Sequence, residues 1–262
     1  MKGKSFLFMV MFCIVCLIFA ACDSAVNTQG NNSDKNVFEM DSTMELIGFK
    51  NSEIAYCIDR TDYYNSNIVE YNIVSGEKNF NYDSGYFSAP DISDNIIVWS
   101  WSECSNGKEF GNCFAYDLDD CVKQQISNDN QTVWPSVSNK KIVARVKPDG
   151  ENQGSYLVIK KKLKKAAWDV IVSPSDKPYR ESKYEYVEIM KPTYRNKYIA
   201  WEDNLQKSIN VFDVEENKIV TLAGRNDGTI LFNFIKMTDE FICWRELNTE
   251  TNESVIKVML NN

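Results

Sequence analysis

The side chains that could do chemistry in this chain are its carboxylates and cysteines, because its 262 residues include no histidine. Without histidine there can be no His-dependent catalytic triad, no His metal ligand and no imidazole base near neutral pH. The chain also has no G-x-S-x-G, phosphate-binding-loop or H-E-x-x-H pattern. The sequence therefore predicts no catalytic residues, no metal site and no cofactor.

Carboxylates recur at corresponding places, each just after an alternating apolar segment. Asp117 and Asp213 are equivalent, Asn72 takes the same place in another copy, and acidic pairs stand at 119–120 and 202–203. A residue that repeats with its segment favours a structural role, so we expect these oxygens to accept hydrogen bonds from turn amides. Calcium binding or catalysis is the alternative.

Five of the eight cysteines lie after residue 50. Cys57 and Cys243 lie within apolar strands and are expected to be small buried thiols. Cys104 and Cys113 flank a polar loop. In an exported protein, a disulfide joining Cys113 to Cys104 or to Cys121 is an open alternative to free thiols.

The elements that carry these groups repeat along the chain. Each copy has a short strand, a polar turn and an apolar strand that contains an anchor residue. The anchor lies nine residues after a fixed position in the short strand. The anchors are Tyr56, Trp99, Ala144, Trp201 and Trp244, and the residues nine positions earlier are Ile47, Pro90, Pro135, Pro192 and Ile235. The anchors are 43, 45, 57 and 43 residues apart. A period of about 40 to 45 residues with four strands per copy is typical of a β-propeller blade.

The pattern P-x-x-S-x-x-x-I-V-W ending at Trp99, followed by the Tyr116 segment, resembles the TolB-type and WD-like propeller repeats of bacterial envelope proteins. The resemblance runs from Ile47 to the C-terminus. It implies an all-β propeller. The five anchors predict five four-stranded blades, with six blades as the alternative because TolB-type domains usually have six. The first hairpin of the repeat departs from the family pattern. Turns such as Ser93-Asp-Asn stand where the family typically has Asp-Gly.

The N-terminus is typical of a bacterial lipoprotein. Residues 1–21 combine two lysines with an apolar run and end in small residues before Cys22, which predicts a signal peptide and a diacylated Cys22. Residues 22–36 then form a polar tether, and 37–262 form the propeller domain. We expect the protein to be lipid-anchored on the extracytoplasmic side of the cell membrane.

The charge of the chain bears on its partners. The net charge is −8, and removing a leader that contains Lys2 and Lys4 lowers it by two. A chain this acidic is not expected to bind nucleic acid. One basic run, Lys160 to Lys165, interrupts this pattern and is interpreted as a solvated surface, with an acidic partner as the alternative.

The N-terminal strand has a predicted use in closing the ring of blades. The last repeat stops after its third strand, and the segment from Asn36 to Met44 alternates as a strand does. We expect this segment to be the outer strand of the blade that contains Trp244, which would remove an exposed sheet edge.

The predicted binding site lies where the repeat is interrupted. The long spacing from Ala144 to Trp201 places about a dozen extra residues within 174–190, and insertions in a repeat array often map to the binding face. The candidate ligand-binding residues of that loop and of the loops expected beside it are Tyr63, Tyr64, Phe110, Tyr179, Arg180, Tyr184 and Tyr186.

These features predict a membrane-tethered propeller that binds a protein, peptide or glycan in the cell envelope without catalysis. The alternative is a glycoside hydrolase-like propeller, which needs two or three inward carboxylates. The inner strands offer Asp91 and Glu45 for this role, and otherwise Ser136, Thr193 and Lys236.

Overall fold

The structure is a computed structural model that describes residues 42–61, 66–83, 88–105, 108–148, 154–163, 167–173, 188–203, 207–224 and 230–260. The regular elements of this part of the chain are all strands: β1 (Met44–Phe49), β2 (Ile54–Asp59), β3 (Asn67–Asn72), β4 (Lys78–Asp83), β5 (Ser88–Ser93), β6 (Ile96–Ser105), β7 (Lys108–Asp117), β8 (Val122–Gln125), β9 (Thr132–Ser138), β10 (Lys141–Val146), β11 (Tyr156–Lys160), β12 (Trp168–Val172), β13 (Ile189–Arg195), β14 (Tyr198–Asp203), β15 (Ser208–Asp213), β16 (Lys218–Ala223), β17 (Ile230–Met237), β18 (Phe241–Asn248) and β19 (Ser254–Leu260). None of the described segments is a helix long and apolar enough to span a bilayer.

The strands form five antiparallel sheets in which sequence neighbours pair. The described residues divide into two compact units, within Met1–Gly85 and Tyr86–Asn262. The first unit holds the sheet β1 to β4, and the second holds β5 to β8, β9 to β12, β13 to β16 and β17 to β19. Five sheets of this kind confirm the predicted five-bladed, all-β architecture over the six-bladed alternative. Only the fourth strand of the last sheet is missing from the described residues.

A bulge in the first strand of each sheet explains the constant nine-residue step. In β9, Trp134 and Pro135 together oppose the single anchor Ala144, since Val133 pairs with Arg145 while Ser136 pairs with Val143. Equivalent register shifts fall at the same repeat position in β5, β13 and β17, and one residue later in β1. A bulge leaves a residue out of the ladder, so proline costs no ladder hydrogen bond there.

In the second and third sheets, the hairpin after the bulge turns through two residues with positive φ. Asp94 and Asn95 have φ of 52° and 60°, and Asn139 and Lys140 have 51° and 57°. Two consecutive residues with positive φ define the type I′ turn that suits the twist of a two-residue hairpin. Asp-Asn and Asn-Lys therefore supply the turn that Asp-Gly supplies in the family that the repeat resembles.

The repeated carboxylates bind turn amides, as predicted. Asp117 Oδ1 accepts the N–H groups of residues 119 and 120 at 3.0 and 3.2 Å. Asp213 Oδ1 accepts those of residues 215 and 216 at 2.9 and 3.0 Å, and Asn72 Oδ1 makes the same pair of bonds at 2.9 Å. Each side chain closes the turn that joins the third and fourth strands of its sheet.

Two tryptophan anchors of the second unit fill the space between consecutive sheets. Trp201 is fully buried in a cluster with Val143 and Leu157 of the preceding sheet. Trp244 is buried in the next cluster, with Ala200 and Val211. Both anchors therefore lie between neighbouring blades. Burying a large aromatic side chain here contributes a substantial part of the free energy that holds adjacent sheets together.

One part of the prediction about the N-terminal strand is wrong. Met44 pairs with Asp59 and begins β1 of the first sheet, so it cannot belong to the outer strand of the last one. The rest of the predicted closing strand, from Asn36 to residue 41, lies outside the described residues, as do the signal peptide and Cys22. Closure of the ring by this segment stays a prediction.

The cysteine geometry does not favour the disulfide. Cys113 faces Ser100 across the ladder, whereas Cys104 faces Glu109, so their α-carbons are about 13 Å apart along the strands. A disulfide needs α-carbons within about 7 Å. Cys113 is a buried free thiol whose Sγ donates to the Thr132 carbonyl at 3.3 Å, and Cys121 is a free exposed thiol in the next turn. As predicted, Cys57 and Cys243 are buried thiols.

Candidate functional site

The long connection between the third and fourth sheets is where the sequence predicted a binding loop. It runs through residues 173–188, whereas the connections from β8 to β9 and from β16 to β17 are only residues 126–131 and 224–229. The strand boundaries therefore place the extra residues between β12 and β13. Most of this connection, with Tyr179, Arg180, Tyr184 and Tyr186, lies outside the described residues, and so do Tyr63 and Tyr64. Phe110 is in β7, opposite Glu103.

The described end of this connection is fixed to the third sheet. Glu188 Oε1 accepts from Lys147 Nζ at 3.5 Å, which ties the loop exit to the end of β10. The next backbone amide, of Ile189, donates to Ser155 Oγ at 2.7 Å in a buried position. The insertion thus returns to the fold at a defined point. We call this end of the second unit, where the first strands of its sheets begin, the loop end.

Buried polar groups surround the loop exit. The Arg145 guanidinium lies 3.8 Å from the centre of the Trp134 ring and is 1% exposed, and its Nη1 donates to the Ile189 carbonyl at 3.5 Å. In β14, burial raises the pKa of the Glu202 carboxyl, while Lys207 and Lys191 act in the opposite direction. A half-buried carboxyl with a raised pKa beside a loop is a feature of binding and catalytic sites.

A partly buried ion pair joins the first strands of three sheets. It lies near the opposite ends of those strands, which we call the hairpin end. Arg195 Nη2 donates to Asp91 Oδ1 at 2.6 Å, and Arg195 Nη1 donates to Asp91 Oδ2 at 2.9 Å. The same guanidinium donates to the Val137 carbonyl at 3.0 Å. These contacts link β5, β9 and β13, and a bidentate pair of this kind is both strong and geometrically specific.

The Asp91 carboxylate also takes part in a bond that repeats from sheet to sheet. Its Oδ2 accepts the Val137 N–H at 3.0 Å, and Ser136 Oγ in the next sheet accepts the Tyr194 N–H at 2.9 Å. Asp91 and Ser136 each directly follow a bulge proline, so they hold the same repeat position. The side chain at this position therefore bonds β5 to β9 and β9 to β13.

Asp91 is held as an anion by these partners. Burial opposes its ionisation, but the charge of Arg195 and the hydrogen bonds from Arg195, Ser136 and the Val137 amide outweigh burial, and the pKa of Asp91 is lowered. All of these contacts are structural links between strands. Glu45, the other inner-strand carboxylate, lies in the first unit and accepts from Arg60 Nε at 2.5 Å.

Several of these residues were missed by the sequence reasoning. Arg195 stands at a fixed offset from its bulge proline, but no charge pattern in the sequence links it to a carboxylate 104 residues away. Glu188 is the last residue of the long connection, which was the available signal for it, whereas nothing in the sequence indicated its partner Lys147. Within the described ranges, no group of three or more Cys, Asp or Glu side chains is placed to hold a metal ion.

Comparison with solved structures establishes the architecture. The β-propeller domain of the trilobed protease from Pyrococcus furiosus matches with a TM-score of 0.58 at 12% identity, over 84% of this chain and 69% of that one. The chain has a β-propeller fold. A putative TolB from Agrobacterium tumefaciens matches this propeller with a TM-score of 0.56 at 8% identity, over 83% of this chain and 76% of that one.

Other matches are to parts of larger enzymes. Acylaminoacyl peptidase from Pyrococcus horikoshii matches with a TM-score of 0.58 at 10% identity, but the propeller chain spans only 38% of that protein. No protein-family model matches the chain, and no curated protein matches it. At these identities the likeness concerns the fold alone, because propellers carry many unrelated functions.

Proposed function

We propose that this protein is a propeller tethered to the extracytoplasmic side of the cell membrane through diacylated Cys22, and that its loop end binds a protein, peptide or glycan of the cell envelope. The observation that carries the proposal is the connection 173–188, which is more than twice as long as the comparable connections in the second unit. Long loops on a rigid scaffold are common binding elements.

The anchoring of this connection supports a binding role. The Lys147–Glu188 ion pair and the bond from Ile189 to Ser155 fix its exit. A binding element that is fixed at its base loses less conformational entropy when it binds a partner. The loop sequence supplies three tyrosines and an arginine, the residue types that dominate binding energy at recognition surfaces.

Binding is favoured over glycoside hydrolysis by the state of Asp91. A hydrolase of that kind needs paired carboxyl groups with space between them for substrate or water. Asp91 has both oxygens engaged by Arg195, Ser136 and backbone amides. Its role in joining three first strands leaves it poorly suited to be the acid or the nucleophile.

Site-specific photo-crosslinking of the full-length protein in its own cells tests the proposal. A photoreactive aromatic residue replaces Tyr184 in one variant and exposed Val220 of β16 in a matched control. We expect position 184 to give a discrete envelope adduct, of protein or of cell-wall glycan, that position 220 does not give. Equal labelling at both positions, or no adduct at position 184, overturns the proposal.

A further inference from the structure

A cleft at the hairpin end of the second unit is separate from the loop end. It has a volume of about 450 Å³, within the range of small-ligand sites. Its walls come from the β9–β10, β13–β14 and β17–β18 hairpins and from the turn after β15. The lining residues are Asn139, Lys141, Tyr194, Asn196, Lys197, Tyr198, Val214, Glu215 and Asp239.

The lining presents hydrogen-bonding groups that the fold does not use. The side chains of Asn139, Lys141, Asn196 and Asp239 form no hydrogen bond or ion pair with any residue in the described ranges. They come from three different sheets and meet at one concave surface. Together they offer two amides, one ammonium and one carboxylate, so both donors and acceptors are available to a ligand.

A buried tyrosine forms part of the cleft wall. Tyr194 lines the cleft and is only 1% exposed. It also belongs to the apolar cluster that contains Trp201, and its backbone amide donates to Ser136 Oγ. This wall of the cleft is therefore held rigidly by the packing between the third and fourth sheets.

The chemistry of the walls defines the ligand class. Charges balance, because Lys141 and Lys197 are matched by Glu215 and Asp239, so neither a polyanion nor a polycation is favoured. Apolar surface is limited to Val214 and the tyrosine rings, which does not suit the side-chain pockets that specific peptide binding needs. A sugar ring has hydroxyls that both donate and accept, together with C–H faces that pack on an aromatic ring.

We propose that this hairpin-end cleft binds a neutral saccharide, with Asn139, Lys141, Asn196 and Asp239 bonding its hydroxyls. One wall of the cleft is held in place by Lys197, whose Nζ lies over the Tyr198 ring, 5.0 Å from its centre. Lys197 in turn pairs with Asp213 at 3.2 Å. This wall is therefore fixed before a ligand arrives, which lowers the entropy cost of binding.

The test uses full-length protein in a detergent without a sugar headgroup, with saturation-transfer NMR as the readout. The probes are chitobiose, cellobiose and maltotriose, and trialanine serves as the peptide probe. The cleft variant combines Lys141→Met with Asn196→Gly, because glycine keeps the positive φ of 54° at Asn196. The matched control combines Lys257→Met with Asn252→Gly, where φ is 58° in the exposed β18–β19 turn.

We expect at least one saccharide to bind, and the cleft variant to raise its Kd about tenfold or more while the control leaves it unchanged. Binding of trialanine but of no saccharide, no binding of any probe, or equal loss in both variants overturns the proposal. The result is independent of the loop-end proposal, since neither double variant alters residues 173–188.

Discussion

Asp91 stabilises the propeller through its charge. Removing one member of a buried ion pair leaves the other member charged and without its partner. Here that member is Arg195, which is 20% exposed and lies at the junction of three first strands. The cost of losing Asp91 should therefore exceed that of losing an ordinary surface ion pair, which is usually below about 1 kcal/mol.

Stability should fall in acid because of Asp91. Its folded-state pKa is lowered, so its contribution is complete above the unfolded value of about 4 and is lost as the pH falls through the folded value. Asp91→Asn should lower the free energy of unfolding by about 3 kcal/mol at neutral pH. It should also reduce the further loss of stability between neutral and acid pH. Thermal unfolding from pH 7 to pH 2 measures both effects.

Glu250→Gln is the matched control for this experiment, since Glu250 is exposed in a turn. It should unfold like the unmodified protein at every pH. An Asp91→Asn protein with an unchanged acid limb would show that other carboxylates, such as Asp59 with its pKa lowered to about 2 through hydrogen bonds from Lys78 and Thr61, control the acid response.

The packing of each sheet on the one before it depends on the anchor residue. Trp201→Ala should lower the free energy of unfolding by about 3 to 5 kcal/mol, because it leaves a cavity in the cluster between the third and fourth sheets. Denaturant unfolding measures the change. Trp101 is 41% exposed, so Trp101→Ala is a control of the same chemistry that should cost far less. Equal effects of the two changes would contradict the assignment of Trp201 as an anchor.

The sequence was most informative about elements and least informative about contacts between them. The period of the anchors predicted the sheets, since strand alternation and turn residues are local properties of the chain. Asp117 and Asp213 were predicted to bind turn amides because those bonds are also local. The Asp91–Arg195 pair and the hairpin-end cleft could not be predicted, because they depend on which residues of different sheets come into contact. The sequence pattern of a single strand does not contain that information.

The termini of the chain carry the remaining predictions about the whole molecule. β19 pairs only with β18 among the described strands, and Val255 and Val258 on it are 54% and 53% exposed. Deleting residues 36–43, which spares Met44 of β1, should lower the thermal midpoint if these residues pair with that edge. Deleting the tether residues 24–32 is the control and should have no effect. Matching melting curves for both deletions would contradict closure by this segment.

Membrane attachment should depend on one atom, the Cys22 sulfur. Cys22→Ser should leave an uncleaved precursor or release the protein from membranes, because a serine cannot form the thioether to which the lipid is attached. Fractionation and immunoblotting of cells follow both outcomes. A cleaved Cys22→Ser protein that still sediments tightly with membranes would show that attachment does not require acylation.

The side chains that join successive first strands also bear on how the protein exchanges its amide hydrogens with water. β9 and β13 are edge strands of their own sheets, and edge amides usually exchange quickly because water reaches them without any opening of the structure. The amides of Val137 and Tyr194 are instead held by Asp91 and Ser136 of the preceding sheets. They should therefore exchange as slowly as central-strand amides, and Asp91→Asn should speed exchange at Val137 while leaving Tyr194 protected.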